Sequence, residues 1–200
     1  MKFDNRLKGR LGENILNELL VDAGYVVARI GVEHTVKEIA SLTWKQYDEL
    51  KLDPRIRKLP DFLVMDIQGG ETLLTEVKAR DSWDIGEIKD SIAEQITFYR
   101  EFILVLFVAH PPENGPETAS TFLRATKVKA VQTRDNEYVI EIELKDGSGA
   151  QDLTKVGWYD LPKVQRYFGK LTQRWDEKTL GQATEMFRRC WEFGGVESPA

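Results

Sequence analysis

Cysteine is almost absent from this chain. Among 200 residues there is one, Cys190, which excludes an intrachain disulfide framework. Histidine is nearly as scarce: with only His34 and His110, a zinc site of Cys/His type has too few ligands. Long apolar runs are missing too, since none approaches the ~20 residues that span a bilayer. The longest, Phe102–Ala109, has the length of a buried strand. The start, MKFDNRLKGR, lacks the apolar stretch of a secretory leader. These absences predict a cytoplasmic, reducing setting and no membrane partner. Excess positive charge is also lacking. The formal net charge is -5, which counts against strong sequence-independent binding to nucleic acid.

What is present fits a globular protein: 42% hydrophobic and 30% charged residues exclude a disordered chain. Charge is unevenly spread. Lys51, Arg55, Arg57 and Lys58 stand against Asp53 alone, and residues 120–134 hold Arg124, Lys127, Lys129 and Arg134 with no acid before Asp135. Each patch, by itself, reads as a solvated face.

Apolar spacing organises the chain. Leu7, Leu11, Ile15, Leu16, Leu19 and Leu20 recur near a 3.6 period, which predicts a helix over about Asn5–Ala23, stopped by Gly24. Tyr25–Ile30 reads as a strand. Thr35 to Glu38 has the form of a capping box, opening a helix with Val36, Ile39, Ala40 and Tyr47 on one face and ending by Asp53-Pro54. Strands Asp61–Ile67 and Thr72–Arg80 flank a turn at Gln68–Glu71 and form a hairpin. Asp84 caps a helix over about Ile85–Phe102, and Ile103–Ala109 is a central strand, apolar on both faces. The segment Pro111–Pro116 marks a boundary. Beyond it come a second hairpin, Lys127–Thr133 with Tyr138–Leu144, a short helix near Leu161–Phe168 and a longer one near Thr179–Phe193. Trp175, Phe187, Trp191 and Phe193 read as packing residues.

The chemistry sits on the first hairpin. Glu76 and Lys78 are two apart, so they share a strand face, while Val77 and Leu73 face apolar packing. Charges on such a strand are costly to bury unless paired or used. Asp61 opens the neighbouring antiparallel strand, directly after Pro60, and so lies beside them. Two carboxylates suit Mg²⁺, a hard ion that keeps several waters and favours phosphate substrates. Such an ion lowers the pKa of a coordinated water and stabilises charge on a phosphoryl group, and an ammonium nearby holds the water or neutralises the transition state. Asp81 and Asp84 read as turn and cap residues, and His110 as a satisfied loop histidine.

Pro60-Asp61 followed by Glu76-Val77-Lys78 resembles the motif of the PD-(D/E)xK nuclease superfamily, which includes restriction endonucleases, archaeal Holliday-junction resolvases and RecB-type nucleases. The resemblance spans about residues 5–110. It implies an α/β, restriction-endonuclease-like core over residues 1–110, a central mixed sheet flanked by helices. A C-terminal extension of hairpin and helices, residues 111–200, packs on that core. It implies metal ligation by Asp61, Glu76 and the carbonyl of Val77, and activation or positioning of water by Lys78. Glu13, in the first helix, is similar to the glutamate of the junction-resolvase pattern and would join the catalytic and metal-binding set. Gln95 and Tyr99 are similar to the Gln-x-x-x-Tyr element of the RecB-type branch and share a helix face. The implied cofactor is Mg²⁺, replaceable by Mn²⁺. The implied partner is DNA, with a homodimer as a further expected state. The expected nucleic-acid contacts are Lys51, Arg55, Arg57, Lys58, Arg80 and Tyr99. Two other readings stand beside cleavage: a catalytically degenerate member of the same fold that only binds nucleic acid, and a structural or adaptor subunit.

Overall fold

Helix α1 (Phe3–Asp22) ends where Gly24 takes a positive φ of 86°. There the amides of Gly24 and Tyr25 turn back to the carbonyls of Val21 and Leu20, a glycine-dependent stop that feeds the chain into β1 (Val26–Arg29). The computed structural model describes residues 3–35, 39, 42–113, 121–132, 138–147, 149–150, 156–174 and 177–193. Three short helices follow β1: α2 (Val32–Thr35), α3 (Trp44–Glu49) and α4 (Pro54–Arg57). The capping box expected at Thr35–Glu38 falls on residues 36–38, outside the described residues. Thr35 ends α2, whereas Thr43 and Gln46 exchange both reciprocal bonds and open α3. Residues 43–46 carry the same Thr-x-x-Gln/Glu pattern as residues 35–38. Of the face expected there, Val36 and Ala40 lie outside the described residues, and Ile39 is buried.

The hairpin is β2 (Phe62–Asp66) and β3 (Glu71–Ser82), in register from Phe62 opposite Thr75 to Asp66 opposite Glu71. Its turn is fixed by the Asp66 carboxylate, which accepts the amides of Gln68 and Gly69. Helix α5 (Ile85–Tyr99), capped by Asp84, crosses over to β4 (Glu101–His110), which runs parallel to β3. The helix stops short of the predicted Phe102 because Arg100 leaves the helical region with a φ of 55°. Then β5 (Leu123–Gln132), β6 (Tyr138–Glu143) and the two-residue β7 (Gly149–Ala150) add antiparallel strands, giving a mixed sheet in chain order.

Residues Phe102–Ala109 of β4 are all buried, and alternation sends them to two cores. Ile103, Val105, Phe107 and Ala109 join Val77, Phe62 and the apolar side of α1. Phe102, Leu104, Leu106 and Val108 join Ile88, Ile92 and Ile96 of α5. The second half of the chain completes both. Helices α6 (Lys170–Arg174) and α7 (Glu177–Phe193) supply Leu171, Leu180, Phe187 and Trp191 to the first, and Trp158 and Leu161 enter the second. The short helix predicted at Leu161–Phe168 is replaced by two 3₁₀ turns, Trp158–Asp160 and Val164–Arg166. Pro162 separates the two turns, since Leu161 before it is extended, with a ψ of 143°. Phe187 and Trp191 are packing residues as read, and Trp175 lies outside the described residues. Among the described residues no helix is long and apolar enough to cross a membrane.

Candidate metal and phosphate site

The β2–β3 ladder ends at Phe62 opposite Thr75, so the next residue, Asp61, stands beside Glu76. Its carboxylate does what a further strand residue would do: Oδ2 accepts the Val77 amide at 2.7 Å. Glu76 and Lys78 point to the α5 side of the sheet, and the Lys78 ammonium is hydrogen-bonded to Glu76 Oε1. From α5, Gln95 donates Nε2 to Glu76 Oε2 at 2.8 Å and to the Lys58 carbonyl at 3.2 Å. Glu76 is thus buried but contacted on both oxygens, which satisfies the requirement for burying a carboxylate in this sheet.

These groups line an open polar cavity of about 220 Å³. Its floor is Asp61, Glu76 and Lys78. Ser91 and Gln95 of α5 form one wall, and Gly31, Val32 and Arg57–Leu59 the other. Burial, followed by the neighbouring carboxylates of Glu76 and Glu13, pushes Asp61 well above the usual carboxylate range; Lys78 and the Val77 amide pull the other way and lose. Burial works against the Lys78 ammonium, yet Glu76 and Asp61 outweigh it and hold Lys78 above its ordinary value.

The other expected residues divide. Glu13 is on α1 beside Gly12, whose backbone lies against Val77, Ala79 and Phe107, and its charge is felt at Asp61. It does not complete a cage: among the described residues no group of three or more His, Cys, Asp or Glu side chains is disposed to hold a metal ion. Two carboxylates beside an open cavity fit a hard cation that keeps much of its water, and fit a closed protein site poorly. Each Glu76 oxygen also keeps a lone pair beyond its bond to Lys78 or Gln95. Asp61 and Glu76 are the carboxylates at this cavity that could hold such a cation.

Of the expected nucleic-acid contacts, Arg57 and Lys58 line the cavity, and Lys51 and Arg55 do not. Arg55 pairs with Asp53, Arg57 with Asp48 and Lys58 with Glu94. Arg80, on the same strand face as Lys78, pairs with Glu87 of α5. Tyr99 donates its hydroxyl to the Arg55 carbonyl, which makes it a brace for α4. The second basic patch dissolves. Arg124 is buried and bonds the Leu161 carbonyl, Lys127 and Lys129 both pair with Glu101, and Arg134 lies outside the described residues. Asp84 is the cap it was read as. Asp81, expected in a turn, is on β3, where it accepts Trp191 Nε1 at 2.8 Å and meets His110. Sequence reasoning missed Gly31, Val32, Leu59 and Ser91. Only Ser91, four residues before Gln95 on one helix face, left a signal that could have been followed.

No protein-family model matches the chain, and no curated protein or solved structure matches it.

Proposed function

We propose that this chain is a Mg²⁺-dependent nuclease that hydrolyses phosphodiester bonds in DNA, on a core of restriction-endonuclease type. The observation that supports this reading is the meeting of Asp61, Glu76, Lys78 and Gln95 on the floor and wall of one polar cavity open to solvent. A bound Mg²⁺ supplies Lewis acidity toward the phosphoryl group and water. The chain's own groups do the rest. Asp61 and Glu76 present hard oxygens. Lys78, ion-paired with Glu76, presents its positive charge to the phosphoryl oxygens or to the attacking water. Gln95 fixes the Glu76 carboxylate, and through the Lys58 carbonyl it also fixes the cavity wall.

A binding or adaptor role without cleavage is the second reading. It is favoured by the internal pairing of Arg55, Arg57, Lys58, Lys127 and Lys129 with acids, which leaves little uncompensated positive charge. One experiment separates the two. The protein is incubated with plasmid, single-stranded and branched DNA in Mg²⁺ or Mn²⁺, and again with EDTA. The nuclease reading expects metal-dependent products that vanish in Glu76→Ala and Lys78→Ala at matched circular dichroism. Intact DNA throughout, or cleavage that survives in both variants, would leave the adaptor role standing.

A further inference from the structure

Arg55, Arg57 and Lys58, three of the five cations expected to contact nucleic acid, differ in their surroundings. Arg55 is 72% exposed at its side chain, pairs with Asp53 through both carboxylate oxygens and does not line the cavity. Lys58 lines it, but its ammonium is 2.7 Å from Glu94. Arg57 differs from both. Its side chain is 27% exposed and its guanidinium lies over the Tyr47 ring at 4.9 Å. Nη2 makes the recorded bonds, to the Tyr47 carbonyl at 3.2 Å and to Asp48 at 3.3 Å. Its Nε is buried and, among the described residues, meets no acceptor.

A buried guanidinium donor without an acceptor is costly, and an anionic oxygen relieves that cost. On the facing wall, Gln95 is 4% exposed and its Oε1 is likewise buried with no donor. Arg57 and Gln95 both line the cavity, and each carries one buried polar atom without a partner among the described residues. A phosphoryl oxygen presented to the cavity face of Arg57 supplies the anion that this guanidinium can grip. A planar guanidinium suits that task, since it grips phosphate oxygens through a fixed fork of N–H groups.

We infer that Arg57 is the phosphate clamp of this cavity, gripping a phosphodiester of the bound nucleic-acid strand, with Tyr47 of α3 as its positioning residue and Asp48 as the anion that the phosphate displaces. The inference rests on the nuclease reading for the identity of its ligand. It gives α3 a role: that helix, capped by Thr43 and Gln46, carries the Tyr47 ring and carbonyl that aim Arg57.

The test is binding without chemistry, in EDTA, with a short single-stranded oligonucleotide, the matching duplex and inorganic phosphate as competitor. Arg57→Gln should weaken oligonucleotide binding about ten-fold and lower the slope of log affinity against log salt by ~0.7 for the single strand or ~0.9 for the duplex. Arg55→Gln should stay within about two-fold of wild type. Mn²⁺ affinity should be the same in both variants, because Asp61 and Glu76 are untouched. If Arg57→Gln does not fold, Asp48→Asn serves: it removes a competing anion while Tyr47 still holds the guanidinium, so binding should tighten by about two- to five-fold. Binding by Arg57→Gln equal to wild type, an equal loss in Arg55→Gln, no response in Asp48→Asn, or no measurable binding by wild type would each overturn the clamp. Loss of binding in Arg57→Gln, with no Mg²⁺-dependent cleavage by wild type, keeps the clamp and removes the nuclease. Normal cleavage and binding by Arg57→Gln does the reverse.

Discussion

At the scale of single residues, Asp61 works against the fold it belongs to. Burial and the charges of Glu76 and Glu13 raise its pKa, so the folded chain keeps a proton that the unfolded chain releases. The contribution of Asp61 to the stability of the metal-free protein should therefore be full below the ordinary carboxyl value of ~4 and be lost as pH rises through the raised value, opposite in sign to that of carboxyls held low by ion pairs, such as Asp22 and Asp66. Asp61→Asn keeps an oxygen for the Val77 amide and carries no charge. It should raise Tm at neutral pH and flatten that pH dependence while abolishing Mn²⁺ binding. Scanning calorimetry at several pH values with a Mn²⁺ titration checks all three, and an unchanged Tm would show that the burial is harmless. Gln95→Ala should slow cleavage ~10–100-fold, as loss of an orienting partner does, with DNA affinity held. Asp61, Glu76 and Lys78 were legible because strand alternation and a two-glycine turn fix which side chains meet. Arg124 was misread for want of the same rule: it alternates with Ala125 on β5, shares a face with Thr126 and Val128, and so faces the α5 core. Val32 and Leu59 carry no chemistry that a sequence could betray.

Among the elements, α4 shows how a four-residue helix keeps a defined position. Isolated, it could not hold its shape. Pro54 and the Asp53 cap start it, the Arg57 side chain ties it to α3, and Tyr99 and Gln95 of α5 hold the carbonyls of Arg55 and Lys58. Tyr99→Phe removes one of these ties. It should cost about 0.5–1.5 kcal/mol and speed hydrogen exchange at residues 54–58, leaving exchange in β4 unchanged. Exchange that quickens equally everywhere would mean that Tyr99 supports the fold and not α4. The i,i+4 relation of Gln95 and Tyr99 was visible in the sequence, and their common target was not. Contacts across 37 and 44 residues depend on where α4 docks, which periodicity does not encode.

Over the whole molecule, the apolar pattern of β4 anticipated a two-sided core, and the helices that cover it come from opposite ends of the described chain. Phe187 of α7 lies 5.1 Å from the ring of Phe107, fully buried, on the face that α1 also covers. Phe187→Ala should therefore cost about 3–5 kcal/mol, whereas Met186→Ala, at an exposed neighbour, should stay within about 0.5 kcal/mol. Urea unfolding of the two variants measures the contrast, and similar losses would deny α7 its place in the core. A sheet whose strands lie side by side in the order they are made has a further consequence, for the ribosome. Each strand can dock on the one before it as it emerges, yet α7 leaves the exit tunnel after every strand is complete. Until then the Phe107 face lacks Phe187 and Trp191, and is a half-built, sticky surface covered only by α1 and the segment that precedes α7. A nascent chain halted there should aggregate, or hold a chaperone, more readily than one from which α7 has emerged.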